Sequence, residues 1–303
     1  MFTIAGGGFG IYGYLPAIVK LEGEIILPER YRLTVDSRPE LHSYRDAILW
    51  CESFEAAVSM ADSVVVAVTP ASQTQITPSL LKQKHINRLI LEKPLSTDPE
   101  KARDLLASLQ LSQVNYRVGY TFLHTPWFNL IKSNQLQHYS SISIHWSFRA
   151  NHFKTTSSTW KKLHSQGGGP LRFYGIHLIS VLSFLGFTQA VASTLRGATP
   201  DEPEEWEAVF QNRNGTQCDI CLHTNTAENS FAITGQTESH NRETIFSSAS
   251  PFNQTNQLSN EDNRICTLEQ ILRSFQMEQA AFSDLYLSSV QLWSLVEAKT
   301  FWP

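Results

Sequence analysis

The chain has 303 residues, 42% of them hydrophobic and 17% charged, with 28 acidic against 24 basic side chains and a formal charge of −4. That length exceeds the usual size of one hydrophobic core and points to two domains, and the composition is that of a globular enzyme rather than a disordered or fibrous chain. The slight acidity offers no general attraction to a phosphate backbone, no apolar run is long enough to span a bilayer, and the glycine-rich start lacks the basic region of a signal peptide. The expected setting is cytoplasmic, with a small molecule rather than nucleic acid or membrane as partner.

Phe2–Ala5 predicts a short strand running into glycines, Leu15–Leu21 a helix, and Tyr31–Asp36 a strand ending in a carboxylate. Ser63–Val68 and Arg88–Glu92 predict further strands, with a helix around Pro78–Lys84 between them. Such β-branched runs alternating with helices indicate a parallel sheet covered on both faces. After Tyr116–Tyr120 the pattern changes: Ser140–Phe148 alternates with period two, as an antiparallel strand does. Further strand candidates are Ala190–Leu195, Trp206–Gln211, Gln217–Thr224 and Ser230–Thr234; helices are expected over Gly169–Leu185 and Thr267–Ala298. Thr237–Asn263, rich in Ser, Asn, Gln and Thr, predicts a long hairpin or exposed loop.

Chemistry enters at Gly8-Phe9-Gly10-Ile11-Tyr12-Gly13, which has the spacing G-x-G-x-x-G between a predicted strand and a predicted helix. In such a loop the glycines permit a tight turn, close approach of backbone to a pyrophosphate, and close packing of helix on strand. The helix start then presents N–H groups to the phosphates. A frame beginning at Gly6 puts Ile11 in the third position and is set aside. Asp36 lies 36 − 13 = 23 residues beyond the last glycine, near the interval expected of the carboxylate that binds the adenosine ribose. It favours NAD(H), whereas Arg38 leaves NADP(H) open by offering a charge for a 2′-phosphate.

The four cysteines are too scattered for a disulfide framework. Cys218-Asp219-Ile220-Cys221, with His223 nearby, has the spacing of half a zinc site. It lies in a predicted strand, where residues three apart face opposite sides, so no metal is assigned.

Together with Thr69-Pro70-Ala71-Ser72-Gln73-Thr74, Glu92-Lys93-Pro94, Trp160-Lys161 ahead of Gly167-Gly168-Gly169, and Gly175-Ile176-His177, these features resemble the Gfo/Idh/MocA family of oxidoreductases. The resemblance implies an α/β protein: an N-terminal Rossmann domain with a doubly wound parallel sheet (1–119) and a second α/β domain with a large, mostly antiparallel open sheet (120–303), which binds substrate and pairs subunits. It implies a homodimer or homotetramer, and a carbohydrate-like substrate such as a sugar, cyclitol or nucleotide sugar. Thr69, Pro70, Thr74, Glu92 and Lys93 join the loop as cofactor-site candidates. Lys93 matches the family lysine beside the nicotinamide, and His177 the family histidine. An ammonium near the reacting oxygen stabilises a developing alkoxide, and a histidine exchanges the proton.

The chain departs from the family pattern at Phe173, where an aspartate usually stands one helical turn before the histidine, and at Ser180, a second common acidic position. Either hydride transfer proceeds with Lys93 and His177, helped by Tyr120, Arg172 or Tyr174 as substrate ligands, or the fold has kept binding and lost redox chemistry. Reduction of an imine or double bond is a third reading. Trp160 and Lys161 are also substrate candidates, the indole by stacking on a sugar ring; packing explains it equally well.

Overall fold

The computed structural model describes residues 1–133, 138–154, 159–252 and 262–303. They form two compact units, the first comprising Met1–Ser96, Asp104–Thr121 and Gln254–Ser283, the second Thr97–Arg103, Phe122–Asn253 and Asp284–Pro303. The main change of unit, at Thr121/Phe122, lies close to the break in sequence pattern. The return of Gln254–Ser283 to the first unit leaves no trace in that pattern.

In chain order the first unit begins with β1 (Phe2–Ala5), a wide π-helical turn over Gly10–Tyr14 that runs into α1 (Leu15–Lys20), and β2 (Ile25–Pro28). It continues through α2 (Arg32–Asp36), β3 (Ile48–Cys51), α3 (Phe54–Met60), β4 (Ser63–Val66), α4 (Pro70–Leu81) and β5 (Arg88–Leu91). Then come α5 (Pro99–Leu111), in which the two units meet along the chain, and β6 (Asn115–Val118). The sheet has the order β3-β2-β1-β4-β5-β6 with every pairing parallel. This is the doubly wound dinucleotide-binding order, whose ligands sit at the carboxyl ends of the strands where the order reverses.

One predicted strand is corrected. Tyr31–Asp36 is helical over Arg32–Asp36, and the second strand is Ile25–Pro28, buried at every position. Tyr31 and Val35, four apart, are buried while Leu33 between them is 81% exposed, which is the period of a helix face. Ile25-Ile26-Leu27 is the continuous apolar run of a parallel strand covered on both sides. The helix predicted around Pro78–Lys84 starts earlier, at Pro70, and tolerates Pro78 within it.

The second unit begins with α6 (Pro126–Ser133), β7 (Tyr139–Arg149) and α7 (Asn151–Lys154). A π-helical turn over Pro170–Gly175 leads into α8 (Ile176–Phe184). β8 (Phe187–Thr199), β9 (Glu202–Asn212), β10 (Gln217–His223), β11 (Asn225–Thr237) and β12 (Arg242–Ser248) follow. The sheet order is β12-β11-β7-β10-β9-β8-β13, β13 being Thr300–Phe301. Two pairings, β7 with β10 and β8 with β13, are parallel and the other four antiparallel. One face carries Ile142, Ile144, Trp146, Trp206, Phe210, Cys218, Ile220 and Phe231, all buried. Cys218 and Cys221 do face opposite sides, the first buried and the second half-exposed. Of the segment expected as a long hairpin or exposed loop, residues 238–241 join β11 to β12 and β12 pairs back on β11, which precedes the segment; 253–261 lie outside the described residues.

The predicted C-terminal helix is two helices, α9 (Ile265–Arg273) and α10 (Gln279–Ala298), separated by a turn at Ser274–Gln276. α9 packs into the core of the first unit: Leu268 and Ile271 share a cluster with Ile11, Leu15 and Ile18. Among the described residues no helix is long and apolar enough to cross a membrane.

Candidate functional site

The glycine loop follows β1, but its duties fall one frame earlier than the sequence suggests. Gly6 has φ +125°, and a Cβ there would lie 2.1 Å from the carbonyl oxygen of Ala67, so the tight turn after the strand depends on Gly6. Its N–H donates to the Tyr31 hydroxyl at 2.9 Å. A Cβ on Gly8 would meet nothing within 4 Å, leaving open space beside the backbone for a phosphate. A Cβ on Gly10 would meet Ile4 at 2.7 Å, which makes Gly10 the glycine that packs helix against strand. A Cβ on Gly13 would meet the Phe9 ring at 2.6 Å and Leu268 at 3.1 Å, so Gly13 is closely packed as well, but the turn and the open space lie at Gly6 and Gly8. The working frame is therefore Gly6-x-Gly8-x-Gly10. The helix enters as a wide turn from Gly10, so spacing counted for a regular α-helical start misses it. Ile11 is wholly buried, while Phe9 and Tyr12 lie edge to face at 5.4 Å.

The acidic partner moves with the frame. Asp36 ends the short helix α2 rather than a strand, and its carboxylate pairs with Arg45 at 2.9 Å. Arg38 lies over the Tyr12 ring at 4.7 Å and pairs with Glu40. The carboxylate just past the second strand is Glu29, at 29 − 10 = 19 residues from the third glycine, held by two 2.7 Å bonds from Arg32. Sequence reasoning missed it; the buried run Ile25–Leu27 and the Gly6 frame were the signals.

The Glu92-Lys93-Pro94 segment follows β5 and is clamped by a residue not singled out in the sequence. Gln73 on α4 is 1% exposed; its amide nitrogen donates to the carbonyls of Glu92 at 2.8 Å and Leu95 at 3.0 Å, and its oxygen accepts from Glu92 N–H at 2.9 Å. Thr69 caps α4 by accepting from the N–H of Ser72, and the Thr74 hydroxyl bonds the Pro70 carbonyl and Ser96. Pro70 is buried at the first turn of α4. These candidates build the walls of the loop. Glu92 is nearly buried and accepts from the Tyr14 hydroxyl at 2.6 Å. Burial pushes its carboxyl above the usual range, against the opposing pull of the Lys93 ammonium, the Tyr14 bond and the Arg264 charge. Lys93 is half-buried beside it. Tyr120, proposed from sequence as a substrate ligand, is 1% exposed at the end of this unit.

In the second unit His177 occupies the first turn of α8, 4% exposed, its ring stacked on Phe122 at 4.6 Å and 19°. Phe173 sits in the preceding π turn, edge-on to Trp160 at 5.2 Å and Tyr174 at 4.7 Å, with the Lys161 ammonium 5.4 Å from its ring centroid. Tyr174 also packs edge-on against Phe148 at 4.9 Å. Trp160, Lys161, Phe173 and Tyr174 thus form one half-exposed aromatic and cationic group. His152 nearby is buried, and burial followed by the charges of Lys161 and Lys162 lowers its pKa to about 4.

Arg172 is corrected as a substrate ligand. Its guanidinium forks onto Glu297 at 2.7 and 3.2 Å and donates to the carbonyls of Thr97 and His164, both at 2.9 Å. Burial alone would raise the Glu297 pKa, but hydrogen bonds from His164 and Arg172 outweigh it and bring it to about 2. Arg172 ties the C-terminal helix to its own unit.

A hollow of about 370 Å³ on the half-exposed face of β7, β9 and β10 is lined by His145, Glu207, Asp219, Cys221 and Arg242 and contains none of the candidate site residues. Among the described residues no group of three His, Cys, Asp or Glu side chains could hold a metal ion.

Residues 33–120 match a family model described as the oxidoreductase family with an NAD-binding Rossmann fold, GFO_IDH_MocA. No curated protein matches the sequence significantly. Among solved structures, an oxidoreductase from Thermotoga maritima is 17% identical with TM-score 0.75 and alignment over 98% of this chain and 95% of that one. The WlbA dehydrogenase from Bordetella pertussis, in complex with NADH and UDP-GlcNAcA, is 14% identical with TM-score 0.74 over 98% and 95%. KijD10, a 3-ketoreductase from Actinomadura kijaniata in complex with NADP and TDP-benzene, is 15% identical with TM-score 0.71 over 99% and 98%. At these identities the likeness establishes the fold.

Proposed function

We propose that this chain, whose residues 33–120 match the model of the Gfo/Idh/MocA oxidoreductase family, is an NAD(P)-dependent oxidoreductase that interconverts an alcohol and a ketone on a carbohydrate-like substrate. One observation carries the reading. The glycine turn follows β1 and the Lys93 segment follows β5, at the carboxyl ends of strands separated by β4 alone, where a doubly wound sheet binds its ligand. The open space beside Gly8 fits a dinucleotide phosphate. Gly6 to Gly10, Glu29 and the Thr69–Thr74 helix start would hold the cofactor, and the nicotinamide supplies the hydride acceptor or donor.

Lys93 polarises the reacting oxygen and stabilises negative charge there as the alcohol loses its proton. His177 exchanges that proton. The half-exposed Trp160 and Tyr174 rings, with the Lys161 ammonium, give a surface for the apolar face of a sugar and an attached phosphate. Nucleotide sugars combine these features, and two of the structural relatives are complexes with a nucleotide sugar or an analogue of one. The Glu29 carboxylate past β2 favours NAD(H), while Arg32 paired with it and Arg38 nearby keep NADP(H) in the test. We place the protein in the cytoplasm, acting on a small molecule.

The test is absorbance at 340 nm with purified protein, NAD(H) or NADP(H), and a panel of sugars and nucleotide sugars. Lys93→Met and His177→Ala are each expected to lower kcat by about 10²- to 10⁴-fold. Turnover left intact in both variants would overturn the catalytic assignment, and dinucleotide binding without turnover across the panel would favour a binding protein of the same fold.

A further inference from the structure

The glycine loop carries no charge of its own. From Gly6 to Leu15 the chain is glycine, aromatic or aliphatic throughout. The N–H groups of Ile11 and Tyr12 are already bonded to the Gly8 carbonyl at 2.9 and 3.3 Å, which removes two backbone donors. A dinucleotide pyrophosphate brings two negative charges, and a helix start answers with only about half an elementary charge. A full positive charge from elsewhere in the fold would add to that attraction.

Arg264 provides one from the far end of the sequence. Its guanidinium carbon is 4.2 Å from the Phe9 ring centroid and 5.8 Å from that of Tyr12. It precedes α9, whose Leu268 and Ile271 are buried against Ile11 and Leu15, so the helix anchor fixes Arg264 beside the loop. The position is held by a local clip: Asp262 accepts from Nε at 2.8 Å and Nη2 at 2.5 Å, and also from the Arg264 backbone N–H at 2.9 Å. Nη1 is not part of that pair. The side chain remains 32% exposed, which leaves the guanidinium open to a ligand. Its charge also reaches Glu92, on the Lys93 segment.

We propose that Arg264 is a phosphate-binding residue of the dinucleotide site, held over the glycine loop by Asp262 until the cofactor pyrophosphate takes over part of that counter-charge. The assignment rests on reading the loop as a dinucleotide site. A planar guanidinium that is partly exposed beside the loop, with Tyr12 as its neighbour, suits phosphate oxygens, and its position over Phe9 supplies the orientation. If Arg264 served only to staple α9 to the loop, its loss would affect stability and leave phosphate recognition untouched.

Titrations of the full chain with NADH, ADP and adenosine, read by fluorescence or calorimetry alongside thermal unfolding, separate the two. Loss of a charge-assisted hydrogen bond in Arg264→Met is expected to weaken NADH and ADP by about 10- to 100-fold and leave adenosine unchanged. Arg264→Lys, which keeps the stem and charge but loses the fork, is expected to fall between, and it carries the test if the methionine variant does not fold. Unchanged NADH and ADP affinity in the variants, or equal loss for adenosine, would overturn the Arg264 assignment alone. Wild-type protein that binds none of NADH, NADPH and ADP would overturn the dinucleotide reading and this assignment with it.

Discussion

The Gly8→Ala variant tests the loop frame most directly, because structure and sequence spacing give different answers. A Cβ at Gly8 meets no protein atom within 4 Å, and Gly8 does not have a positive φ. Replacing a glycine that needs no special conformation stabilises a fold by about 0.4–1 kcal/mol through the unfolded chain. In a chain of this size that is a rise in Tm of about 0.5–2 °C. The same methyl group projects into the space assigned to the pyrophosphate. Loss of one charge-assisted bond costs about 1.5–3 kcal/mol, or roughly a 10- to 100-fold weaker Kd.

Gly6→Ala should behave in the opposite way. Its φ of +125° and the 2.1 Å approach of a Cβ to the Ala67 carbonyl require the backbone between β1 and β4 to move. A strained residue costs about 1–3 kcal/mol before the clash is counted. Thermal unfolding and NADH titration of the two variants give four numbers. Gly8→Ala binding as tightly as wild type, or Gly6→Ala unfolding at the wild-type temperature, would refute the Gly6-x-Gly8-x-Gly10 frame.

Gln73→Ala strips the clamp from the Lys93 segment, removing its bonds to the Glu92 and Leu95 carbonyls while the Glu92 N–H keeps the Val66 carbonyl; a stability loss of about 1–3 kcal/mol in urea, with kcat falling more than cofactor affinity, is expected. Acid should act in two windows. His152 has a folded pKa of about 4, below its unfolded value, so stability present above about pH 6.5 declines as pH falls towards 4, by about 3 kcal/mol; His152→Gln should flatten that range. Glu297, with a folded pKa of about 2, contributes stability present above about pH 4.5 and lost as pH falls towards 2, about 3 kcal/mol that Glu297→Gln should already lack at pH 7. Urea midpoints that do not move between pH 7 and 4.5 would exclude the His152 effect. The half-exposed face of the second sheet, with its hollow over β7, β9 and β10, is proposed as the surface where a second copy docks, giving a dimer or tetramer; light scattering showing a monomer at micromolar concentration would count against it.

Alternation and apolar runs made the fold legible where each strand has one clear environment. Ser63–Val66 and Arg88–Leu91 are buried parallel strands and read as such, and the second sheet shows its inner face through Ile142, Ile144 and Trp146. Tyr31–Asp36 misled because Tyr31, Leu33 and Val35 also fit period two, and only the exposure of Leu33 decides for a helix. That reading put the candidate carboxylate at Asp36, at the end of α2, whereas the carboxylate that follows β2 is Glu29. The site was legible where a motif is contiguous, as at Glu92-Lys93-Pro94. It was not legible where a distant residue completes it: Gln73 reaches Glu92 across 19 positions, and Arg264 reaches Phe9 from the other end of the chain. Arg172 misled for the converse reason, since its partner Glu297 is 125 residues away.

The absent carboxylate before His177 also changes meaning once the helix start is known. Comparing Phe173 with a family aspartate assumes a regular α-helix, in which positions four apart share a face. Here Pro170–Gly175 forms a π turn, with bonds spanning five residues, so position 173 is not carried onto the His177 face by that rule. Phe173 instead packs with Trp160 and Tyr174, and the ring stacked on His177 is that of Phe122. Because Phe173 packs away from the His177–Phe122 stack, the substitution at Phe173 does not by itself argue against catalysis.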